Sequence, residues 1–458
     1  MNRKDAKSAQ WSQRNSDQLV RSTSRMTTAG AANIDERAIG SAVVTKLTTH
    51  LLPFLFLLYI VAYLDRINVG FAALQMQAQL GFSDRVYGLG AGLFFAGYFC
   101  LQVPSNLALV RVGARRWIAL IMLVWGVISC AMMLVSTAGE FYLLRFALGA
   151  AEAGFFPGII LYLKHWFPGS ARARAVAIFM TAGPLAGVVG GPISGALLEI
   201  HAGQFAGWQW LFLIEGLPAI VLAGVVWLVL KDRPEEARWL DEVEKRWLAE
   251  RLAEEAASFS AASNSVFIAF KDSRVWLLTL VYFGATTCSY GVSLWLPNLI
   301  KARFHGNSFE IGLLSALPYI VTAIAMVLVG LHSDRTGERK WHLALSAFAG
   351  ALGLWGARVV NSTPAEIVML SVALASFSMM GPFWAISTSI LGGTAAAAGI
   401  AIINSVGNLG GFVGPYVIGW VKEVTGGFRG GLFVVGGFMA VSGIVALLVG
   451  RRGEVVVR

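Results

Sequence analysis

Charge is scarce in this chain of 458 residues: Asp, Glu, Lys and Arg make up 14%, against about 25% in a typical soluble domain. Cysteine is scarcer still. Cys100, Cys130 and Cys288 each fall inside an apolar run, which excludes a disulfide framework and a cysteine-based metal site. A phosphate-binding Gly loop is also missing, since GTAAAAG from Gly393 has no Lys after it to reach a phosphate. Without a Ser-His or metal constellation, a membrane-embedded hydrolase has no support either. An enzyme is not expected, and neither is a metal or cofactor.

Apolar residues are what the chain has. They make up 56% of it, with 51 glycines and a mean hydropathy of +0.66. Most segments are apolar all round, where a soluble domain would show amphipathic stripes. The expectation is an all-α, multi-pass membrane protein. A net charge of +10 would suit a nucleic-acid partner only if topology were ignored. Lys- and Arg-rich cytoplasmic loops account for it, and no nucleic acid is expected.

Residues 1–48 are polar, with no apolar core, and read as a disordered cytoplasmic tail in which Met26 is a second candidate start. Spans are expected near 51–73, 87–109, 116–137, 140–163, 173–198 and 208–230. After a charged segment, 231–273, six more follow near 274–299, 310–332, 341–360, 364–389, 395–421 and 430–450. With residues 451–458 as a second tail, the division is a first half over 49–230 and a second over 274–450. Placing both termini in the cytoplasm puts 28 Lys and Arg inside and 5 outside, the bias of a multi-pass inner-membrane protein. Within 231–273, Trp239, Val243, Trp247 and Leu248 recur at helical spacing, which predicts an amphipathic surface helix.

The two halves echo each other. Arg111-Val-Gly-Ala-Arg-Arg116 follows the second span, and the loop GLHSDRTGERK, with Asp334, Arg335, Gly337 and Arg339, follows the eighth. The fifth and eleventh spans each carry a Gly ladder around a Gly-Pro step, Gly183, Gly187, Gly191 and Gly195 in one, Gly407, Gly411 and Gly414 in the other. Small residues at this spacing let helices approach closely.

The informative charges lie inside spans. The first, LLPFLFLLYIVAYLDRINVGFAA, holds Asp65 and Arg66, and each costs about 2.5–3.5 kcal/mol at mid-bilayer. Either the helix ends at Leu64, or these residues face a bundle interior. The apolar pattern continues through NVGFAAL and favours the second reading. In the fourth span Arg145 and Glu152 share a helix face about 10 Å apart along the axis, too far for a direct pair. Asp65 or Arg66 is the economical partner for each, and the four charges cancel. A purely structural network remains the alternative. Asp65 and Glu152 are the natural proton carriers, and Arg66, with its planar fork, the natural ligand for a carboxylate. Tyr63, Tyr98, Asn404 and Asn408 add hydrogen-bonding groups, for which helix-helix bonding is the rival role.

These residues resemble those of the major facilitator superfamily, and within it the anion:cation symporter family, whose members include tartrate, phthalate, hydroxyphenylacetate and sugar-acid permeases. The stretches that carry the resemblance are YLDRINVGFA, FCLQVPSNLALVRVGARRWIA, LGAAEAGFFPGIILYLKHWFP and GIAIINSVGNLGGFVGPYVIG. The resemblance as a whole covers roughly residues 45–450. The resemblance implies twelve transmembrane helices in two six-helix bundles, working as a monomer in membrane lipid. It implies proton-coupled uptake of a small organic anion, with protons on Asp65 and Glu152 beside Arg145. Arg66, Tyr63, Tyr98 and the Asn residues of the eleventh span would meet the substrate. Asp334, Arg335, Gly337 and Arg339 would form the gating loop, whose first-half counterpart has Val110 where an Asp is usual. Gly183 stands where sugar-acid members carry a Gln, which leaves tartrate-like or aromatic acids ahead. A drug or metabolite exporter is the alternative, from the partial antiporter signature at Gly187 to Gly195.

Overall fold

A computed structural model describes residues 3–259, 266–390 and 395–451, all in helices and turns, with no strand among them. Twelve long helices follow in chain order. They are α1 (Arg3–Leu80), α2 (Asp84–Val112), α3 (Ala114–Leu134), α4 (Ala138–Trp166), α5 (Ala171–Leu198) and α6 (Gly207–Val229). The second set is α7 (Ser273–Lys301), α8 (Ser308–Thr336), α9 (Lys340–Val359), α10 (Thr363–Ser389), α11 (Ala398–Thr425) and α12 (Phe428–Arg451). Eleven are long and apolar enough to cross a membrane. The remaining one, α9, has 20 residues and carries Arg358 in its last turn. It packs against α10 and α12, which carries it through the bundle with the rest.

Short turns end each helix chemically. Ser136 and Thr137 meet Glu140 in a capping box before α4, and Asn307 and Glu310 form another before α8. These bonds occupy donors that a helix start leaves unpaired. Gly337 and Gly426 close α8 and α11 with φ of 70° and 74°, a conformation that costs glycine least.

The polar amino-terminal segment is not the disordered tail expected through residue 48. The membrane-crossing part of α1 begins at Ala38, and Val43 and Leu47 are fully buried. The cause is the segment after α6. Its helix, Glu242–Phe259, lies against this extension of α1, with Lys46 2.7 Å from Glu244 and Trp247 against Gly40. Leu248 is buried as the spacing predicts, but Val243 is 60% exposed and outside the apolar stripe. Trp239 precedes the helix and stacks on His50. The apolar face is therefore spent on protein. The tail beyond Arg451 and the start of the small-residue run, Gly393 and Thr394, lie outside the described residues.

Helices α1–α6 and α7–α12 form two six-helix bundles, joined where α5 crosses α8 and α2 crosses α11. Of the Gly ladders, Gly187, Gly191 and Gly195 sit at the α5–α8 crossing and Gly411 at the α2–α11 crossing, while Gly407 and Gly414 pack on α7. A Cβ on Gly191 would stand 2.5 Å from the Gly312 carbonyl oxygen, and one on Gly88 2.6 Å from that of Pro415. Both contacts lie toward the end away from the linker. At that end Lys422 also pairs with Asp84 at 2.7 Å, the Arg85 amide donates to Glu423, and the Ser308 amide to Glu199. The halves are closed together there.

Candidate functional site

Four helices are interrupted beside residues that line one cavity. α4 breaks at Ala153 and Gly154, just after Glu152, and α5 breaks at Thr181, just before Gly183. α10 tightens to a 3-10 turn over Ser376–Met379, and α11 breaks at Leu409, just after Asn408. Irregular backbone at membrane depth is tolerated where it is buried in protein or lines a cavity. A cavity of about 80 Å³ lies there between the bundles, with Arg66, Tyr63, Tyr98, Asn404 and Asn408 in its wall. One water needs about 10–15 Å³ on the same measure, so several fit. Met180 and Met326 extend the wall toward the linker end.

Arg66 is the organising group. Its Nη2 makes an ion pair with Glu152 of α4, and its Nη1 donates to the Tyr290 hydroxyl of α7 at 2.9 Å. The guanidinium carbon lies 5.2 Å from the Phe94 ring centre and 5.6 Å from that of Tyr98. Such rings attract a cation, more strongly when water is excluded. One arginine thus touches both halves and a carboxylate at once. Asn408 donates to Asn404 at 3.2 Å, which confirms their common face, and Gln102 of α2 accepts from Ser405 of α11 at 3.0 Å.

Asp65 is not in the cavity wall. It is fully buried behind Arg66, accepting from Ser129 at 2.6 Å and from the Trp125 indole at 3.1 Å. Successive residues on a helix point about 100° apart, so Arg66 faces the cavity while Asp65 faces α3. Among the described residues Arg145 has no carboxylate within ion-pair distance. It lies 5.1 Å from the Phe94 ring centre and donates only a long bond, 3.4 Å, to the Ala91 carbonyl. The economical pairing expected for both Arg145 and Glu152 is realised for Glu152 alone.

At the linker end, Asp334 pairs with Arg339 at 2.5 Å, and Arg339 also donates to Ser333. Gly337 supplies the left-handed turn between them, while Arg335 lies exposed in the last turn of α8. The first-half loop finds its acid elsewhere. Asp232, beyond α6, accepts from the Arg115 amide at 2.9 Å, the side of the molecule where Val110 supplies no carboxylate.

Sequence reasoning passed over several residues. Tyr59, Tyr282, Tyr290 and Tyr319 line the cavity, and a third buried carboxylate, Glu215 of α6, lies in the first bundle. Glu215 had a legible signal, an acid inside the apolar run LFLIEGLPAI. The tyrosines had none, because a tyrosine in a span is equally at home at the membrane interface.

Two helical bundles with a charged cavity between them, roomy enough for several waters, have the form of a membrane transport protein. Residues 55–305 and 278–456 match the Major Facilitator Superfamily. A protein of Agrobacterium vitis named "Putative tartrate transporter" is 50% identical over 89% of this chain and 91% of its own. The "Quinolone resistance transporter" of Acinetobacter baumannii is 43% identical over 85% and 91%. Among solved structures, a bacterial homologue of the human lysosomal transporter Spinster superposes with a TM-score of 0.73 at 17% identity, covering 88% of this chain and 97% of that one. The chain belongs to the Major Facilitator Superfamily, a family of transporters and not of enzymes.

Proposed function

We propose that this protein takes up a small organic carboxylate together with protons across the inner membrane, with both termini and the linker in the cytoplasm. The observation that carries the reading is Arg66 in the cavity wall, paired behind it with Glu152 and bonded to Tyr290. Arg66 binds the substrate carboxylate in place of Glu152, and a proton neutralises the Glu152 so displaced. Anion and proton then favour each other's bound state by mass action. Asp65 is a second proton-holding group and Arg145 sets the potential around both. Because Arg66 touches both bundles, its change of partner is felt by the contact on which they rock.

The hydroxyl and amide groups around the cavity suit a hydroxy acid, and its rings suit an aromatic acid. The tartrate-transporter name of the 50% identical relative supports the first. Closure at the end away from the linker corresponds to a state open toward the cytoplasm, with Asp334, Arg335, Gly337 and Arg339 at the gate of that side. A second reading, export of a drug or metabolite, is favoured by the quinolone-resistance relative. Arg66 in the wall opposes it for cationic drugs. Uptake of radiolabelled tartrate, phthalate, nicotinate and hydroxyphenylacetate into proteoliposomes separates the two. Saturable uptake of one acid supports import. No uptake of any acid, with expulsion of a fluoroquinolone, supports export.

A further inference from the structure

A second cavity, of about 1090 Å³, opens on the linker side of the first bundle and shares no lining residue with the one between the bundles. It is a groove walled by the α2–α3 loop, the end of α4, the segment after α6 and the linker helix. The internal repeat shows what is unusual about its charge. Val110, Arg111, Gly113, Arg115 and Arg116 stand in register with Asp334, Arg335, Gly337, Arg339 and Lys340. Both glycines take a positive φ, 95° and 70°, so the two loops turn alike.

The second-half loop supplies its own acid, since Asp334 pairs with Arg339 at 2.5 Å. In the first half Val110 takes that place. Arg115 turns instead to Asp232, which accepts from its amide at 2.9 Å and lies 4.0 Å from its Nε. Glu255 of the linker helix is held by Arg172 at 2.5 Å. Arg111 and Arg116 are exposed in the groove wall, and among the described residues neither makes an ion pair. The remaining acids, Glu235 and Glu236, are exposed in the short turn after α6. Apolar groups stand beside the two arginines. Val110 and Val112 end the second span and are 70% and 42% exposed. At the end of α6, Trp227 is 50% exposed, with the Arg115 guanidinium 5.8 Å from its ring centre. Exposed aliphatic and indole groups at the end of a span mark the depth where acyl chains give way to headgroups.

We propose that this groove holds the headgroup of an anionic phospholipid from the leaflet on the linker side. Arg111 and Arg116 take the phosphate, and the acyl chains lie over Val110 and Val112. A guanidinium fork suits phosphate oxygens taken two at a time. A free phosphate in water gains nothing from the exposed valines, so a lipid is the source that this wall fits. The bound phosphate supplies to the first-half loop the negative charge that Asp334 supplies to the second. Each basic side chain at such a headgroup is worth about fivefold in affinity.

The test is native mass spectrometry of the purified full-length chain, titrated separately with phosphatidylglycerol, phosphatidylethanolamine and phosphatidylcholine. Wild-type protein should bind one phosphatidylglycerol in preference to either zwitterionic lipid. Arg111→Gln with Arg116→Gln should weaken that binding by about 30-fold. The matched pair from the second half, Arg335→Gln with Lys340→Gln, should leave it unchanged. Val110→Asp places in the first loop the acid that the second one has, and should also weaken binding. It adds an exposed carboxylate and removes no ion pair, so it carries the test if the double variant fails to fold. Equal losses in the two matched pairs, unchanged binding in Val110→Asp, or no preference for phosphatidylglycerol in wild type would overturn the proposal. Displacement of the lipid by an equal concentration of inorganic phosphate would also overturn it, and would assign the groove to a free anion. No transport is measured, so the outcome is independent of the substrate and of proton coupling.

Discussion

Replacing Arg66 by Lys keeps the charge and removes the fork. The arginine reaches Glu152 with one nitrogen and Tyr290 with another, with two rings about its face. A lysine ammonium is a compact point charge that cannot span the two partners as a planar guanidinium does. Loss of one charge-assisted bond is worth about 1.5–3 kcal/mol, so anion affinity should fall about 10- to 150-fold. Arg66→Ala leaves Glu152 buried and unpaired and should cost about 2–5 kcal/mol, about 30-fold or more in Kd. Glu152→Gln separates binding from packing, because it removes the competitor for Arg66. Wild-type affinity should rise as pH falls, since a proton on Glu152 frees Arg66, within the range where the substrate stays anionic. In Glu152→Gln the affinity should be high and flat across the same range. Calorimetric titration of each purified variant with the transported acid at several pH values provides the numbers. Wild-type affinity in both Arg66→Lys and Arg66→Ala would refute the reasoning and make Arg66 a structural charge.

Other parts of the structure make independent predictions. Gly191→Val puts a branched side chain against the Gly312 carbonyl, and overpacking of this kind costs about 1–3 kcal/mol. Spin-label distances across the end away from the linker should lengthen in that variant, and unchanged distances would mean that the crossing yields elsewhere. Asp84→Asn breaks the ion pair with Lys422, whose side chains are 24% and 23% exposed. A partly exposed pair is worth about 1 kcal/mol, so transport rate should change by no more than about fivefold. In a cysteine-free background, His305→Cys and Glu338→Cys should react with an impermeant thiol reagent from opposite sides of the membrane. Reaction of both from one side would overturn the assigned topology.

The architecture was legible because membranes reward few sequence patterns. All the expected spans but the first, which begins at Ala38 and not at 51, recur within a few residues, since long apolar runs and Lys/Arg-rich loops are strong signals. The amino-terminal segment was not, because Val43 and Leu47 are too sparse to announce a core and gain one only when the linker helix docks on them. In the site, Arg66, Glu152, Tyr63, Tyr98, Asn404 and Asn408 were readable as polar groups in apolar runs. The pairing was not. Spacing shows that Arg145 and Glu152 cannot meet, but only the packing of α1 on α4 selects Arg66 for Glu152 and leaves Arg145 over a phenyl ring. Asp65 was assigned with Arg66 because they are adjacent. A helix turns adjacent residues to different neighbours, which puts Arg66 in the cavity wall and Asp65 behind it against α3.

The central claim is that Glu152 exchanges a proton for the substrate carboxylate at Arg66. It is tested most directly in proteoliposomes that accumulate a labelled acid under an imposed pH gradient, acid outside. Wild-type protein should concentrate the acid and alkalise the medium as it does so. Glu152→Gln should exchange internal for external acid without accumulating it, because exchange needs no net proton movement. Full gradient-driven accumulation by Glu152→Gln would contradict the account.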